Sequence, residues 1–303
     1  TRVGDTRGPG LVRDRRVWIL WAAALVALLV WLSVAVSRRP TMRVTFLDVG
    51  DGQCTVIRTP SGRTLMVDCG TSSWRNPASV GSKLAVPYLQ SQGINKIDVL
   101  VLTRPHSDHM SGIPGILRRL RTDLVLDTGE KERTPDYSRY KRAIKASGAR
   151  YRHLRYGQER SIGDGVVARV VGPLPDTACQ DANDRCAVLR VSFGKVAILL
   201  AADAGTEAEA EMIASGVELH AQVLQVGHHG SARSTSPEWL CAVEPSVAVI
   251  PCSSRSRYGF PSRRVMDRLA SFGVRTYTTG RSGAVTVVTD GTNVQVSPFR
   301  GSR

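Results

Sequence analysis

Two histidines and an aspartate lie close together in the sequence, directly after a short apolar run. Residues 97–103 form a mostly apolar run that is rich in β-branched side chains, and His106, Asp108 and His109 follow shortly after it. A short apolar run bounded by turn residues is typical of a strand buried on both faces. Imidazole and carboxylate groups are ligands that divalent cations such as zinc and manganese accept. We therefore predict a metal site at the end of this strand.

Two further predicted strands end in residues of the same kind. Residues 197–202 are apolar and precede Asp203, and residues 222–227 precede His228 and His229. Buried strands of α/β folds present functional groups where they emerge from the sheet, so we expect the three strand ends to form one site. The predicted metal ligands are His106, Asp108, His109, Asp203, His228 and His229.

The elements that must position these residues follow a mixed pattern. Residues 43–49 and 54–59 predict a hairpin, whereas helical stretches such as 206–215 separate other predicted strands. Strands that adjoin helices, together with hairpins, predict a mixed α/β domain with helices covering the sheets.

The charge of the chain favours polyanionic partners. The 303 residues carry a formal net charge of +15, and 42% hydrophobic with 22% charged residues is typical of a globular protein rather than a disordered one. Residues 1–41 hold seven arginines and two aspartates, which leaves 34 basic and 24 acidic residues in the remainder. This remaining excess of about +10 indicates nucleic acid or anionic lipid as a partner.

A long uncharged run near the N-terminus predicts a membrane anchor. Residues 17–36 contain no charged side chain and are long enough, as a helix, to cross a bilayer core of roughly 30 Å. A cleavable signal peptide is the alternative. The arginines before the run place the N-terminus in the cytoplasm and the bulk of the chain outside. The predicted organisation is a basic tail (1–16), an anchor (17–36), a linker (37–41) and a folded domain (42–303) that carries the predicted metal site.

The six cysteines give no sign of a zinc ribbon, because no CxxC pair is present. Cys179 and Cys186 bracket a short polar loop. They either form a disulfide, if the domain lies outside the cytoplasm, or remain small buried thiols.

The motifs TRPHSDH, AADAG and GHHGS occur in this order and resemble those of the metallo-β-lactamase superfamily. Together with FLDVGDGQC, YGFPS and SGAVTVVTDG, they resemble more closely the extracytoplasmic domain of ComEC-type DNA-uptake proteins. The resemblance implies an αββα sandwich, hydrolysis at a metal site and cleavage of the DNA backbone. The multi-helix channel portion has no counterpart here. We therefore expect a stand-alone relative with a single anchor and, as a partner, a separate channel protein.

The resemblance fails at two positions that bear on the metal. The family motif HxHxDH begins with histidine where this chain has Arg104, and Phe260 stands where relatives carry a histidine. The resemblance gives the bridging role to Asp203 and the late ligand role to His228 or His229. Because a guanidinium stays protonated, Arg104 cannot coordinate a cation. We therefore expect one zinc or manganese ion, with two ions as the alternative.

The expected catalytic residues are Asp108, His106 and Arg104. A single cation can lower the pKa of water and polarise a phosphoryl oxygen. His106 either helps to bind the cation or positions the phosphate, and Arg104 replaces the lost cation by bracing the scissile phosphate.

Several other residues are assigned to supporting roles. Asp48 and Asp68 either shape turns or, as the resemblance implies, lie beside the site. Ser231 is expected to cap a turn, and His153 is expected to be a surface or packing histidine. The basic residues of the predicted helix 137–146 either form a solvated face or contact DNA phosphates.

The functional hypothesis is an enzyme: a metal-dependent hydrolase of phosphodiesters, anchored in a bacterial cell membrane, with DNA as its substrate. One alternative is a domain of the same fold that has lost its activity and binds nucleic acid. The other is a hydrolase of a small ester, phosphate or lactam.

Overall fold

The computed structural model describes residues 15–37, 40–73, 75–175, 177, 179 and 181–300, without the side chains of residues 15–16 and 30–37. The chain divides into two compact units, Thr1–Pro40 and Thr41–Arg303. In the first unit, α1 (Arg15–Ser37) is a helix of 23 residues at the place of the predicted anchor. Among the residues described, no helix is both long enough and apolar enough to cross a bilayer.

Parts of the predicted N-terminal organisation lie outside the described residues. They are residues 1–14 of the basic tail and residues 38–39 of the linker. The tail, the anchor and the linker stay predictions of the sequence.

The second unit is built on two sheets. Its strands are β1 (Met42–Phe46), β2 (Thr55–Arg58), β3 (Thr64–Val67), β4 (Lys96–Leu102), β5 (Arg121–Asp127), β6 (Arg150–His153), β7 (Glu159–Gly163), β8 (Val166–Gly172), β9 (Val188–Phe193), β10 (Val196–Leu200), β11 (Val223–Gln225), β12 (Val247–Ile250), β13 (Arg275–Thr278), β14 (Val285–Thr289) and β15 (Val294–Pro298). One sheet has the order β15-β14-β1-β2-β3-β4-β5-β6, and the other has the order β13-β12-β11-β10-β9-β8-β7.

Helices cover the outer faces of both sheets. They are α2 (Val86–Ser91), α3 (Ser107–Met110), α4 (Ile113–Leu117), α5 (Pro135–Ser147), α6 (Thr206–Ala214), α7 (Pro237–Val243), α8 (Arg263–Ser271) and α9 (Thr279–Ser282). One apolar layer packs α2, α4 and α5 against the first sheet, and another packs α6, α7 and α8 against the second. A third layer lies between the sheets. This arrangement confirms the predicted αββα sandwich.

The strands that carry the predicted ligands are buried on both faces. In β10, Ile198 and Leu200 belong to the layer between the sheets, whereas Ala197 and Leu199 belong to the layer under the helices. Successive side chains of a strand point to opposite faces, so a strand between two apolar layers must be apolar throughout. This explains why such strands are visible in the sequence as continuous apolar runs.

The parallel parts of the two sheets set the position of the strand ends. Strands β3, β4, β5 and β6 run parallel to one another, as do β10, β11, β12 and β13. Because parallel neighbours end at the same edge, the residues after β3 and β4 are brought together, as are those after β10 and β11.

The structure distinguishes between the two alternatives that the sequence leaves open for Cys179 and Cys186, a disulfide or two thiols. Cys179 and Cys186 are both free and both buried. The predicted disulfide is therefore absent, and the alternative of two buried thiols describes this structure.

Candidate metal centre

Four of the predicted ligands form one cluster. Asp108, His109, Asp203 and His229 each offer a ligand atom, and these atoms lie within 4.8 Å of one another. Asp108 and His109 come from α3, directly after β4, while Asp203 and His229 follow β10 and β11. The two sheets therefore each supply two of the candidate ligands, and the ends of β4, β10 and β11 meet at one place.

The backbone at this edge is constrained. His228 and His229 have φ angles of 48° and 54°, and Asp68 and Ala202 have φ angles of 57° and 48°. The left-handed region is unfavourable for residues with a Cβ, and residues held in it often cluster at functional sites. In the turn Gly227–Gly230 this conformation directs the His229 ring toward Asp108 and Asp203.

His109 is oriented by a carboxylate on the neighbouring strand. Its Nδ1 lies 2.8 Å from Oδ2 of Asp68, and Asp68 also accepts hydrogen bonds from the backbone N and the Oγ1 of Thr103, at 2.8 and 2.7 Å. In the neutral ring the proton therefore sits on Nδ1, as it would when Nε2 binds a cation. The Nε2 atom is buried without a hydrogen bond and lies 3.1 Å from Oδ2 of Asp203.

His229 has the same arrangement with a different partner. Its Nδ1 donates to the carbonyl oxygen of Pro251 at 2.7 Å, which leaves Nε2 without a proton in the neutral ring. This Nε2 is also buried without a hydrogen bond, 3.5 Å from Oδ2 of Asp108 and 3.7 Å from Oδ1 of Asp203.

These residues fit a divalent cation. Two unsatisfied imidazole nitrogens face two carboxylates, and buried polar atoms without a partner are rare unless a function explains them. Metal-ligating histidines typically donate their other ring N–H to a carboxylate or a carbonyl, as His109 and His229 do here. Two nitrogen and two oxygen ligands suit zinc or manganese and leave further positions for water or substrate.

The charges of the cluster are closely coupled. Burial by itself raises the pKa of Asp203, but the His109 ring and other cationic neighbours hold this pKa well below its usual range. Burial likewise opposes protonation of His109, yet the carboxylates of Asp203 and Asp68 raise its pKa well above the usual value. Similarly, neighbouring imidazoles outweigh burial and lower the pKa of Asp108 to about 2. The carboxylates are therefore ionised near neutral pH.

Arg104 lies against the cluster and is itself buried, with 1% of its surface exposed. Its Nη1 is 2.5 Å from Oδ2 of Asp203 and also donates to the side chain of Asn183, while Nη2 lies 2.6 Å from Nδ1 of His106. A fixed positive charge therefore contacts the carboxylate to which the family resemblance gives the bridging role.

His106 and His228 lie beside the four-residue cluster rather than in it. The side chain of His106 is 41% exposed, and burial together with Arg104 lowers its pKa. The ring of His228 lies 5.9 Å from that of Phe260, which also stacks on His229 at 6.1 Å. Phe260 thus covers the pair of histidines.

The predicted supporting residues have different surroundings. Asp68 belongs to the centre through His109. Asp48 accepts a hydrogen bond from the backbone N of Gly50 at 3.4 Å and lines a groove that Leu47 and Phe299 also line; burial raises its pKa. Asp48 is not part of the cluster.

Two other residues keep the structural roles expected from the sequence. The backbone N of Ser231 donates to the carbonyl of His228 at 2.9 Å, and its hydroxyl accepts from the backbone N of Arg233, which closes the turn. His153 is half exposed and pairs with Asp127 at 3.0 Å.

One residue of the centre was not predicted from the sequence. Gln53 is buried, and its Nε2 donates to the carbonyl oxygen of Ala202 at 3.0 Å and to Oδ1 of Asp203 at 3.4 Å. Gln225 donates in turn to its side-chain oxygen. Gln53 lies in the FLDVGDGQC segment, between two predicted strands. Its polar side chain at that position was the signal from which the sequence could have identified it.

The centre opens to a cleft of about 550 Å³, within the usual range for ligand pockets. Both His106 and Asp108 line it, together with Asp136 from the first turn of α5 and with Arg257 and Tyr258 from the opposite side. A ligand in this cleft would contact His106 and Asp108 directly.

Comparison with known proteins supports the family resemblance that the sequence motifs indicate. A family model described as the metallo-beta-lactamase superfamily matches residues 47–254. Among solved structures, YhfI from Bacillus subtilis aligns with a TM-score of 0.54 at 12% identity, covering 79% of this chain and 96% of that one. Zn²⁺-bound PqqB from Methylobacterium extorquens aligns with a TM-score of 0.50 at 9% identity, covering 80% and 99%. At these identities the structures show the fold alone.

Curated relatives confirm the similarity to competence proteins. The chain is 29% identical over 254 residues to ComE operon protein 3 of Bacillus subtilis, covering 80% of this chain and 32% of the relative. It is 31% identical over 280 residues to Recombination protein 2 of Haemophilus influenzae, covering 91% and 33%. It is 30% identical over 266 residues to Competence protein ComA of Neisseria gonorrhoeae, covering 88% and 35%. The chain thus spans about a third of the length of these relatives.

Proposed function

Since the chain belongs to the metallo-β-lactamase superfamily, we propose that it is a metal-dependent phosphodiesterase that cleaves DNA. The observation that carries the proposal is the pair of buried Nε2 atoms, in His109 and His229, that face two ionised carboxylates, one of which, Asp108, lines an open cleft. Such a site fits a cation and leaves room for a substrate beside it.

The choice of DNA rests on the relatives and on charge. Two of the similar proteins are named for recombination and competence, and the domain beyond residue 41 carries 34 basic residues against 24 acidic ones. A basic surface favours a polyanionic substrate over a lactam or another small neutral ester. The predicted anchor, the extracytoplasmic location and a separate channel partner are further proposals, resting on the uncharged run 17–36 and on the family resemblance.

We propose separate roles for the residues of the centre. Asp108, His109, Asp203 and His229 would hold the cation, which when bound supplies Lewis acidity at a phosphoryl oxygen and lowers the pKa of water. His106 lines the cleft and is half exposed, so it is placed to contact a phosphate of the substrate.

Arg104 acts through its neighbours in this proposal. Because its guanidinium is buried and already contacts Asp203 and His106, it is not placed to brace a scissile phosphate directly, as the sequence hypothesis has it. It instead supplies a fixed positive charge that holds these two side chains. An Arg104→Ala variant with full activity would contradict this role.

The test is cleavage of single- and double-stranded DNA by the full chain in manganese or zinc, with bound metal measured on the same samples. We expect cleavage and one bound ion per chain, and we expect Asp108→Ala to lose both. Asp123→Ala is the matched control. Asp123 lies near the start of β5, at the opposite end of that strand from the cluster, and pairs there with Lys96.

The second candidate function is DNA binding without catalysis, which Arg104 favours because its charge already compensates Asp203. Absence of cleavage with either metal, together with retained DNA binding, would make this function the better account. Cleavage of small phosphate or lactam substrates but not of DNA would overturn the choice of substrate.

A further inference from the structure

The positive charge of the domain is concentrated in one short segment, residues 139–160. This segment contains eight basic residues and a single acidic one, Glu159, so it accounts for about +7 of the domain's excess of about +10. It comprises most of α5, the whole of β6 and the start of β7. The basic residues are Arg139, Lys141, Arg142, Lys145, Arg150, Arg152, Arg155 and Arg160.

A groove of about 740 Å³ opens on this segment. Three guanidinium-bearing side chains line it, those of Arg152, Arg155 and Arg160. Among the described residues, no carboxylate lies within ion-pair distance of any of the three, since Glu159 pairs with Arg169 at 3.6 Å instead. The Nε of Arg160 is also buried without a hydrogen-bond partner. The groove thus presents positive charge that no carboxylate in the described part of the chain neutralises.

Two tyrosines interleave with these cations. Tyr151 and Tyr156 line the same groove, and both are partly exposed. The hydroxyl of Tyr151 donates to Asp127 at 2.8 Å, and Nζ of Lys141 lies 3.9 Å from the centre of its ring. These contacts fix the Tyr151 ring. Rigid aromatic rings among basic side chains are typical of surfaces that bind single-stranded nucleic acid.

The groove and the catalytic cleft lie on connected elements. β6 runs parallel to β5, so its last residue, His153, lies at the edge where the strands end, 3.0 Å from Asp127. α5 follows from the same edge, and Asp136 in its first turn accepts a hydrogen bond from Ser107 and lines the cleft. A nucleic-acid strand that leaves the cleft along α5 and β6 therefore meets the groove.

We propose that this groove binds a single-stranded DNA segment next to the position of cleavage. Arg152, Arg155 and Arg160 would contact successive phosphates, and a base would stack on Tyr156. The volume suits a few nucleotides of one strand rather than a double helix. A lipid surface is the less favoured partner, because the groove is concave and no large exposed aliphatic side chain lines it.

This inference rests on the proposed function for its substrate class, but it is tested without catalysis. We would measure the binding of the full chain to a labelled oligothymidylate of about 16 nucleotides in EDTA, as a function of salt. The double variant Arg152→Gln, Arg155→Gln should bind at least ten-fold more weakly. The slope of the logarithm of its binding constant against the logarithm of the salt concentration should be smaller in magnitude by about 1.4. Tyr156→Leu should weaken binding about five-fold without changing that slope.

The matched control is Arg263→Gln, Arg275→Gln, which removes the same charge from exposed positions on α8 and β13. An equal loss of affinity in this control would overturn the proposal, as would equal affinity for a duplex of the same sequence. It would also be overturned if the groove variant bound DNA normally but no longer bound vesicles of phosphatidylglycerol and phosphatidylcholine. If the wild type fails to cleave DNA while the groove variant alone loses binding, the groove stands and the nuclease function fails.

Discussion

At the scale of single residues, the centre is defined by which ring nitrogen carries a proton. His109 and His229 both use Nδ1 as a donor, to Asp68 and to the carbonyl of Pro251, so that both Nε2 atoms point into the cluster. A histidine with the other tautomer would present an N–H where a cation needs a lone pair. The residues behind the ligands therefore matter as much as the ligands.

Asp68→Asn tests this dependence. The two carboxylate oxygens of Asp68 accept from three donors, the backbone N and Oγ1 of Thr103 and Nδ1 of His109. An amide replaces one of these oxygens by an NH2 group, which donates, so at least one of the three donors loses its acceptor. We expect zinc or manganese to bind about 10- to 100-fold more weakly, with the fold retained. Competition with a chelator measures the affinity. Asp123→Asn serves as the control, and an unchanged metal affinity in Asp68→Asn would refute the orienting role.

At the scale of elements, the loop after the histidine turn is held by a buried carboxylate on α6. Glu209 is 1% exposed and accepts hydrogen bonds from the backbone N of Thr235 and of Ser236, at 2.8 Å for Ser236. Ser236 is the N-cap of α7. Glu209 therefore joins α6 to the loop that connects His228 and His229 with α7.

The stability of the metal-free domain should depend on pH through Glu209. Burial raises the pKa of Glu209 to about 7, above the 4.5 expected in the unfolded chain. Between these values the unfolded chain loses the proton and the folded one keeps it. The contribution of Glu209 to the free energy of unfolding is therefore fully present below pH 4.5 and is lost as pH rises to about 7. The loss is on the order of 3 kcal/mol at most.

Glu209→Gln should remove this part of the pH dependence. Urea unfolding in EDTA at pH 5 and pH 7.5 measures it as the difference in unfolding free energy between the two pH values. Glu207→Gln, an exposed position on the same helix, is the control. An identical pH dependence in wild type and Glu209→Gln would show that Glu209 does not titrate in this range.

The elements also differ in how visible they are in the sequence. β4, β10 and β11 were predicted because most of their residues are apolar and buried, on both faces of each strand. β6, with the sequence RYRH, and β7, with ERSIG, were not predicted. They lie at sheet edges, where side chains face solvent and no apolar run forms.

At the scale of the whole molecule, the centre connects the two sheets. Asp108 and His109 follow a strand of the first sheet, and Asp203 and His229 follow strands of the second. A cation bound by all four would therefore link the two halves of the sandwich. Binding that requires the folded state stabilises it by about 2.7 kcal/mol at 100 times the dissociation constant.

We therefore expect added zinc or manganese to raise the melting temperature by roughly 5–10 °C under these conditions. Asp108→Ala should lose most of this rise, since one of the four ligands is removed. Calorimetry with and without metal measures the shift, and Asp123→Ala is again the control. An equal rise in Asp108→Ala would mean that the stabilising ion binds elsewhere.

The sequence by itself determined the fold class and the composition of the centre. Buried strands must be apolar on both faces, so β4, β10 and β11 and the polar residues after them are local properties of the chain. The loss of one histidine to Arg104 is likewise visible without coordinates. Motifs of this kind identify a site because metal coordination allows few residue types.

Only the tertiary structure decided which of these residues meet. It selected His229 over His228, placed Asp68 behind His109 and Asp48 outside the cluster, and brought Gln53 to Asp203. It also showed that Arg104 is buried and that Arg152, Arg155 and Arg160 line one groove. The physical reason is that such contacts join residues far apart in the chain, so they depend on sheet order and strand register rather than on local sequence.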